Sequence, residues 1–260
     1  MTAALECRSL SVRYGRFNAI DGFSYAFETG RLYAIIGPNG AGKTTLTNVL
    51  VGAKPPTSGA VLLAGRDVTA LPVPHRARRG LGRSLQISKV FAEMTVFENL
   101  RLAAQATLFP LQPIWRSAAS YGELAGRARQ MLATVGLERY ADIPADRLSH
   151  GDQRALELGL ALMTSPSVLL LDEPLAGVGH HGLEAAIDRL ARLSQDRTVL
   201  LIEHNMSAVM RLAEEVLVMA SGRLIASGPP EHVRADPQVR EAFSMSPPRG
   251  WRRASSTTWW

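Results

Sequence analysis

Cysteine, lysine and long apolar runs are the scarce features of this sequence. Cys7 is the single cysteine among 260 residues, so neither an internal disulfide nor a cysteine-based metal cluster is available. The apolar runs, such as 168–171 and 199–202, have the length of strands and fall far short of the roughly 20 residues that span a bilayer. No basic segment followed by an apolar stretch opens the chain, so we expect no signal peptide. We therefore expect a protein of a reducing compartment, without a membrane span of its own.

The excess of positive charge is modest and partly local. Hydrophobic residues make up 46% of the chain and charged residues 20%, which is ordinary for a globular protein and excludes a disordered one. The net charge is +6, and the segment 244–260 contributes +3 of it through Arg249, Arg252 and Arg253. The remaining charge is spread out, so we interpret it as surface solvation and predict no nucleic-acid partner.

Strands and helices alternate along most of the chain. Apolar runs bounded by turn residues predict strands at 32–36, 60–64, 168–171, 198–202, 216–220 and 223–227. Predicted helices lie at 43–52, 74–79, 181–195 and 206–214. Residues 5–13 alternate as a strand, and 23–27 is its expected partner. This order predicts an α/β fold with a mainly parallel sheet, helices on both faces and an N-terminal antiparallel β portion.

The segment at about 89–166 differs from the rest of the chain. Apolar residues recur at helical spacing through 96–106 and 121–136, with a proline-containing break at 109–114, which predicts an inserted α-helical subdomain. The predicted division is a single domain at 1–245, with its core at 1–88 and 167–235, and a basic tail at 246–260 that we expect to be disordered.

The most specific motif is a glycine-rich loop between a predicted strand and a predicted helix. It reads Gly37-Pro38-Asn39-Gly40-Ala41-Gly42-Lys43-Thr44-Thr45 and fits the pattern G-x4-G-K-[ST]. Glycines let backbone N–H groups turn toward phosphate oxygens, and the start of a helix adds a favourable dipole. Lys43 would place its ammonium between the β- and γ-phosphates, and the Thr44 hydroxyl would bind Mg²⁺. The loop therefore predicts a P-loop NTPase.

Two acids follow the apolar strand at 168–171. Asp172 would lie at the carboxyl end of that strand, where open α/β sheets bind ligands, and could contribute to the Mg²⁺ shell. Glu173 could orient and polarise the attacking water. With the glycine-rich loop upstream, this pair predicts hydrolysis of the bound nucleotide.

Four further features have ordinary structural explanations when each is taken alone. Ser149, in Leu148-Ser149-His150-Gly151-Asp152-Gln153, could be a helix cap, and Gln86 could be a surface amide. Tyr14 could be a half-buried aromatic, and His204 could simply start a helix. Their order and spacing around the two nucleotide motifs indicate which kind of P-loop NTPase this is.

Taken in this order, the set resembles the nucleotide-binding domain of ATP-binding-cassette (ABC) transporters over residues 5–243. The resemblance implies that Tyr14 stacks on adenine and that residues 37–45 hold the phosphates. It further implies that Gln86 contacts Mg²⁺ and water and senses the membrane partner, that Glu173 is the catalytic carboxylate, and that His204 contacts the γ-phosphate.

The segment 148–153 resembles the family signature, which binds the ATP held by an opposite subunit. Ser149 and Gly151 at a helix start would make a second anion site, with Asp152 beside them. A helical insert that stands apart from the loop cannot close this site in one chain, whereas two chains placed head to tail can. The resemblance thus implies an ATP-driven dimer whose closure and opening give a mechanical stroke.

Two short sequence motifs favour one branch of the family. Leu201-Ile202-Glu203-His204-Asn205-Met206 and Asp172-Glu173-Pro174-Leu175-Ala176-Gly177 resemble ATPases of branched-chain amino-acid, amide and urea importers. The expected partners are a second ABC ATPase subunit, integral membrane permeases and, indirectly, a periplasmic solute-binding protein. The expected location is the cytoplasmic face of the membrane.

Other functions stay open at this point. A soluble ABC ATPase usually has two cassettes or a long coiled coil, a GTPase needs an Asn-Lys-x-Asp segment, and none of these features occurs here. An exporter subunit is distinguished from an importer by resemblance alone. The chain also departs from the family at Val178-Gly179-His180-His181, a segment that normally meets the partner subunit, and Gly179 removes a side chain there.

Overall fold

The computed structural model describes residues 3–84, 90–108 and 118–244, together with 253–254 and 258–259. The main strands are β1 (Ala3–Tyr14), β2 (Phe17–Glu28), β3 (Leu32–Ile36), β4 (Ser58–Leu63), β5 (Arg66–Asp67), β6 (Leu81–Arg83), β7 (Val168–Asp172), β8 (Thr198–Ile202), β9 (Glu215–Ala220) and β10 (Arg223–Gly228). The helices are α1 (Lys43–Leu50), α2 (Val73–Arg78), α3 (Val96–Leu108), α4 (Ala118–Val135), α5 (His150–Leu162), α6 (His180–Leu193), α7 (Met206–Leu212), α8 (Pro230–Ala235) and α9 (Pro237–Ser244).

The larger sheet has the strand order β10-β9-β3-β8-β7-β6. Strands β6, β7, β8, β3 and β9 run parallel, and β10 pairs antiparallel with β9. Every residue of β3, β7 and β8 is buried, because protein covers both faces of the sheet. This double burial explains why these strands read as uninterrupted apolar runs.

A smaller antiparallel sheet has the order β2-β1-β4-β5. Its apolar face joins α1 and one face of the larger sheet in a core that contains Tyr33 and Ile35 of β3. The other face of β3, with Leu32 and Ala34, belongs to a second core shared with α3, α4 and α5. The sheet therefore lies between the antiparallel portion on one side and the helical insert on the other.

The helical insert leaves the sheet after β6 and returns at β7, which is the adjacent parallel strand. Its helices α3, α4 and α5 pack on one another through Leu100, Leu124 and Leu156 among others. Among the described residues, no helix combines the length and the apolar character that crossing a bilayer requires.

The predicted fold class is confirmed, and several predicted bounds differ from the structure. Strand β2 starts at Phe17 and not at Phe23, because Asn18, Ile20 and other residues of 17–22 pair with β1 despite their weak alternation. Strand β6 has three residues, too few for a periodic signal, and was not predicted. The predicted break at 109–114 lies outside the described residues. In the tail, Arg253–Ala254 pairs antiparallel with Thr258–Trp259.

Candidate functional site

A cavity of about 300 Å³ lies at the carboxyl ends of β3, β7 and β8. Its lining combines the glycine-rich loop, the two acids after β7 and the histidine after β8: Phe17, Ala19, Asn39, Gly40, Ala41, Gly42, Lys43, Thr44, Thr45, Asp172, Glu173, Ile202 and His204. Gln86, the remaining residue predicted for metal and water, lies outside the described residues. The fold thus gathers motifs that are far apart in the sequence at one edge of the sheet.

Two glycines of the loop are required by close approach of the backbone. Gly37 has φ 153°, and a Cβ there would lie 2.1 Å from the carbonyl oxygen of Met219. Gly42 has φ 101°, and its Cβ would lie 2.5 Å from the carbonyl oxygen of Ala19. A side chain at either position would displace backbone, so the curvature of the loop depends on both glycines.

Lys43 begins α1 and points back into the loop. Its Nζ donates to the carbonyl oxygens of Gly37 at 2.6 Å and Pro38 at 3.1 Å, and the residue is 8% exposed. Burial lowers the pKa of the Lys43 ammonium, while the nearby Glu173 and Asp172 carboxylates act in the opposite direction. A buried cation is therefore already in place beside the start of a helix, as an anionic ligand requires.

Asp172 and Glu173 differ in burial and in backbone geometry. Asp172 is 5% exposed at the end of β7. Glu173 has a left-handed φ of 50°, which is uncommon for a residue other than glycine. Its backbone N–H donates to the carbonyl of Ile202 at 2.8 Å. This bond fixes the start of the turn that carries the Glu173 side chain into the cavity.

Glu173 and His204 meet because β7 and β8 are neighbouring parallel strands, with Asp172 opposite Ile202 in their register. The Nε2 atom of His204 lies 3.0 Å from Oε1 of Glu173, and both side chains are partly exposed. A carboxylate beside an imidazole can hold or accept a proton from a water molecule in the cavity.

The aromatic residue at the cavity is Phe17, which the sequence reasoning missed. Tyr14 and Phe17 face each other at the tip of the β1–β2 hairpin, but Phe17 belongs to the cavity lining and Tyr14 does not. The Tyr14 ring instead has the Nζ of Lys54 at 4.2 Å from its centroid. Phe17 is 63% exposed, which is unusual for a large apolar side chain, but this exposure is visible only in the folded chain and gave no signal in the sequence.

The signature segment caps α5 and lies apart from the cavity. Ser149 Oγ accepts a hydrogen bond from the Asp152 backbone N–H at 3.2 Å and donates one to Asp152 Oδ2 at 2.7 Å. Ser149 is exposed and Gly151 is half-buried. None of Ser149, Gly151 and Asp152 lines the cavity in the described structure. These three residues therefore do not contribute to the cavity of their own chain in the described structure.

Glu203 is a second residue that the sequence reasoning did not single out. Its buried carboxylate accepts hydrogen bonds from the backbone N–H groups of Leu175 at 2.9 Å, His204 at 3.0 Å and Asn205 at 3.3 Å. Burial raises the pKa of this carboxyl, although the three N–H groups favour the charged form. Glu203 thereby joins the turn after Glu173 to the turn that carries His204.

Arg83 is a third residue that was missed. One guanidinium nitrogen lies 3.3 Å from Asp172 Oδ2, and another donates to Asn48 Oδ1 at 2.9 Å. The sequence offers no local signal for this contact, because the three residues come from α1, β6 and β7 and meet only in the folded sheet.

Comparisons with known proteins identify the family of the chain. Residues 20–176 match the family model described as ABC transporter, and residues 223–243 match one described as branched-chain amino acid ATP-binding cassette transporter. The chain is 38% identical over 250 residues to the high-affinity branched-chain amino acid transport ATP-binding protein BraF of Pseudomonas aeruginosa, covering 92% of the chain and 96% of that protein.

Two other relatives broaden the comparison. The lipopolysaccharide export system ATP-binding protein LptB of Acidithiobacillus ferridurans is 35% identical over 245 residues, which cover 94% of this chain and 97% of LptB. A crystal structure of the ADP conformation of an ATP-binding cassette from an ABC transporter superimposes with a TM-score of 0.82 at 31% identity. That superposition covers 94% of this chain and 99% of the other.

Proposed function

Because this chain belongs to the ABC transporter family, we propose that it binds Mg²⁺-ATP in the cavity at the carboxyl edge of the sheet and hydrolyses it to energise transport through separate membrane subunits. The single observation that supports this most strongly is the convergence of the glycine-rich loop, the acids after β7 and the histidine after β8 on one cavity. A chance glycine-rich turn would not have a buried lysine and a strand-end carboxylate facing it.

Within this proposal the loop residues Gly37–Thr45 hold the phosphates through backbone N–H groups, and Lys43 supplies a buried cation. Glu173 orients and polarises the attacking water, and its contact with His204 at 3.0 Å keeps the two side chains together beside the γ-phosphate. Phe17 is better placed than Tyr14 to contact the adenine, since only Phe17 lines the cavity.

The donor set fits a magnesium ion. The Thr44 hydroxyl and the Asp172 carboxylate both line the cavity and offer the oxygen ligands that Mg²⁺ prefers. Gln86 is the proposed third residue. When bound, the ion would neutralise charge on the β- and γ-phosphates.

The working unit we propose is a head-to-tail dimer. Ser149 and Gly151 stand at the start of α5, away from the cavity of their own chain, so they are available to a nucleotide held by a second subunit. Asp152 is tied to Ser149 and would orient its hydroxyl. The partner could be a second copy or a related cassette.

For the transported solute we propose branched-chain amino acids or related small polar solutes. The support is the match of residues 223–243 and the name of the BraF relative. The partners would be integral membrane permeases at the cytoplasmic face, served by a periplasmic solute-binding protein. The similarity to an export-system protein favours an exporter subunit as the second candidate.

The proposed ATPase is tested with Lys43→Ala and Glu173→Gln in the purified chain. Lys43→Ala should weaken ATP binding by at least about 10-fold, because the buried cation is lost. Glu173→Gln should keep ATP binding, lower turnover by roughly 100-fold or more and accumulate an ATP-bound dimer. Binding is measured by titration calorimetry, turnover by phosphate release and the dimer by light scattering.

The controls are exposed residues far from the cavity. Arg66→Ala on β5 and Glu138→Gln between α4 and α5 should leave all three measurements unchanged. Unaltered turnover in Lys43→Ala would contradict the assigned phosphate site, and a Glu173→Gln variant that stays monomeric in saturating ATP would contradict the dimer.

A further inference from the structure

The side chain of Arg83 connects the two elements that carry the proposed magnesium ligands. It stands at the end of β6 and is only 16% exposed. One Nη atom donates to Asn48 Oδ1 on α1 at 2.9 Å, and the other lies 3.3 Å from Asp172 Oδ2 at the end of β7. Arg83 therefore contacts a helix and a strand that both contribute residues to the cavity.

The position of Asn48 on α1 is linked to that of Thr44. The two residues are four positions apart, and residues with this spacing lie on the same face of a helix, one turn apart. A bond that fixes Asn48 relative to Asp172 therefore also fixes Thr44 relative to Asp172. These are the hydroxyl and the carboxylate that the proposed function assigns to Mg²⁺.

The contact with Asp172 involves only one carboxylate oxygen. Arg83 meets Oδ2, and no hydrogen bond from the described residues reaches Oδ1. A carboxylate held at one oxygen keeps the other free and fixes its direction. Because Asp172 is buried, the same contact also supplies the opposite charge that a buried carboxylate needs.

The third guanidinium nitrogen of Arg83 takes part in neither contact. This Nε atom is buried and has no hydrogen-bond partner among the described residues, which is unfavourable for a buried donor. A guanidinium also holds its N–H donors in one fixed plane, whereas an ammonium cannot bond Asn48 and Asp172 with the same geometry.

We propose that Arg83 is a positioning residue that fixes Asp172 and Thr44 at the separation required for binding the magnesium ion of Mg²⁺-ATP. This inference rests on the proposed function of the cavity. It predicts that Arg83 contributes to the part of ATP affinity that depends on Mg²⁺ and contributes little to the part that does not.

The test measures the dissociation constant of ATP by calorimetry, once with excess Mg²⁺ and once with EDTA. The ratio of the two constants is the magnesium enhancement. Arg83→Met should lower this enhancement by about 10-fold or more, the usual effect of removing a residue that orients a metal ligand. Asn48→Ala, which leaves the charge but removes the anchor, should lower it by a smaller factor.

Arg83→Lys keeps the positive charge but lacks the planar donors of the guanidinium, so it should retain only part of the magnesium enhancement. Arg66→Met is the matched control and should retain all of it. If Arg83→Met does not fold, Arg83→Lys and Asn48→Ala carry the same test. An unchanged magnesium enhancement in the folded variants would overturn the inference. An increased enhancement would overturn it as well, because it would mean that Arg83 is a simple counter-charge that competes with Mg²⁺. Full recovery with lysine would also overturn it, because charge alone would then be sufficient. Absence of ATP binding by the unaltered chain would instead refute the proposed function.

Discussion

At the scale of single residues, Glu203 shows how a carboxylate can organise main chain. It accepts hydrogen bonds from three backbone N–H groups on two different turns, one after Glu173 and one at His204. A side chain with two acceptor oxygens and no donor suits this position, because its three hydrogen-bond partners are all backbone N–H donors. The separation of Glu173 and His204 thus depends on a residue that lies outside the cavity.

Burial of Glu203 predicts a pH dependence of stability. Its pKa in the folded protein is raised above the ordinary value of 4.5, so folding disfavours the charged form. The stability that the protonated carboxyl contributes is fully present below the pKa that Glu203 has in the unfolded chain. It is lost as the pH rises through the higher pKa that Glu203 has in the folded protein. Relative to Glu203→Gln, the unaltered protein should lose stability as the pH rises from about 4.5.

Urea unfolding of both proteins at a series of pH values measures this difference. Glu138→Gln, a change at an exposed carboxyl, is the control and should show no pH-dependent difference from the unaltered protein. A constant offset between Glu203→Gln and the unaltered protein across the series would mean that Glu203 does not titrate as expected.

At the scale of elements, Arg76 holds the end of α1 that lies away from the phosphate loop. Its side chain is 1% exposed and donates to the carbonyl oxygens of Val49 at 2.7 Å and Leu50 at 2.6 Å. It also donates to Thr69 and Leu71 in the segment before α2. A cation at the carboxyl end of a helix satisfies its free carbonyls and complements its dipole.

Arg76→Met should therefore destabilise the fold by about 3 kcal/mol or more, because four carbonyl groups, two of them at buried contacts, lose their donor. Arg78→Met, at an exposed position of the same helix, should change stability by less than about 0.5 kcal/mol. The free energy of unfolding in urea measures both. Equal stabilities for the two variants would show that water replaces the guanidinium without cost.

Periodicity in the sequence predicts elements and not the contacts between them. The strands at 32–36, 168–171 and 198–202 could be predicted because burial on both faces leaves a continuous apolar run. The loop and the acids could be predicted because their chemistry is local. Arg83 could not, since its partners Asn48 and Asp172 are distant in sequence. The choice between Tyr14 and Phe17 depends on the twist of a hairpin, which no pattern encodes.

At the scale of the whole molecule, two cores share one sheet, and Cys7 lies in the core below the antiparallel portion. The thiol is buried, and burial raises its pKa far above the ordinary value. A thiol that is both inaccessible and protonated does not react with disulfide reagents.

Cys7 should therefore report on opening of this core. We expect a thiol reagent to modify it roughly 100-fold or more slowly than a cysteine at the exposed neighbour, introduced as Arg8→Cys in a Cys7→Ala background. Release of the chromophore from an aromatic disulfide measures both rates, and addition of urea should abolish the difference. Equal rates without urea would mean that the antiparallel portion opens independently.

The position of β3 in the sheet has a consequence for synthesis of the chain. This strand leads into the phosphate loop, yet its neighbours are β8 and β9, so Leu32 and Tyr33 pair with Val199 and Glu215. A nascent polypeptide that ends before β8 carries an apolar strand with both edges unpaired, the kind of surface that aggregates or recruits chaperones. The part of the site that is translated first is thus completed last, and termination before β8 removes three of the six strands of the larger sheet.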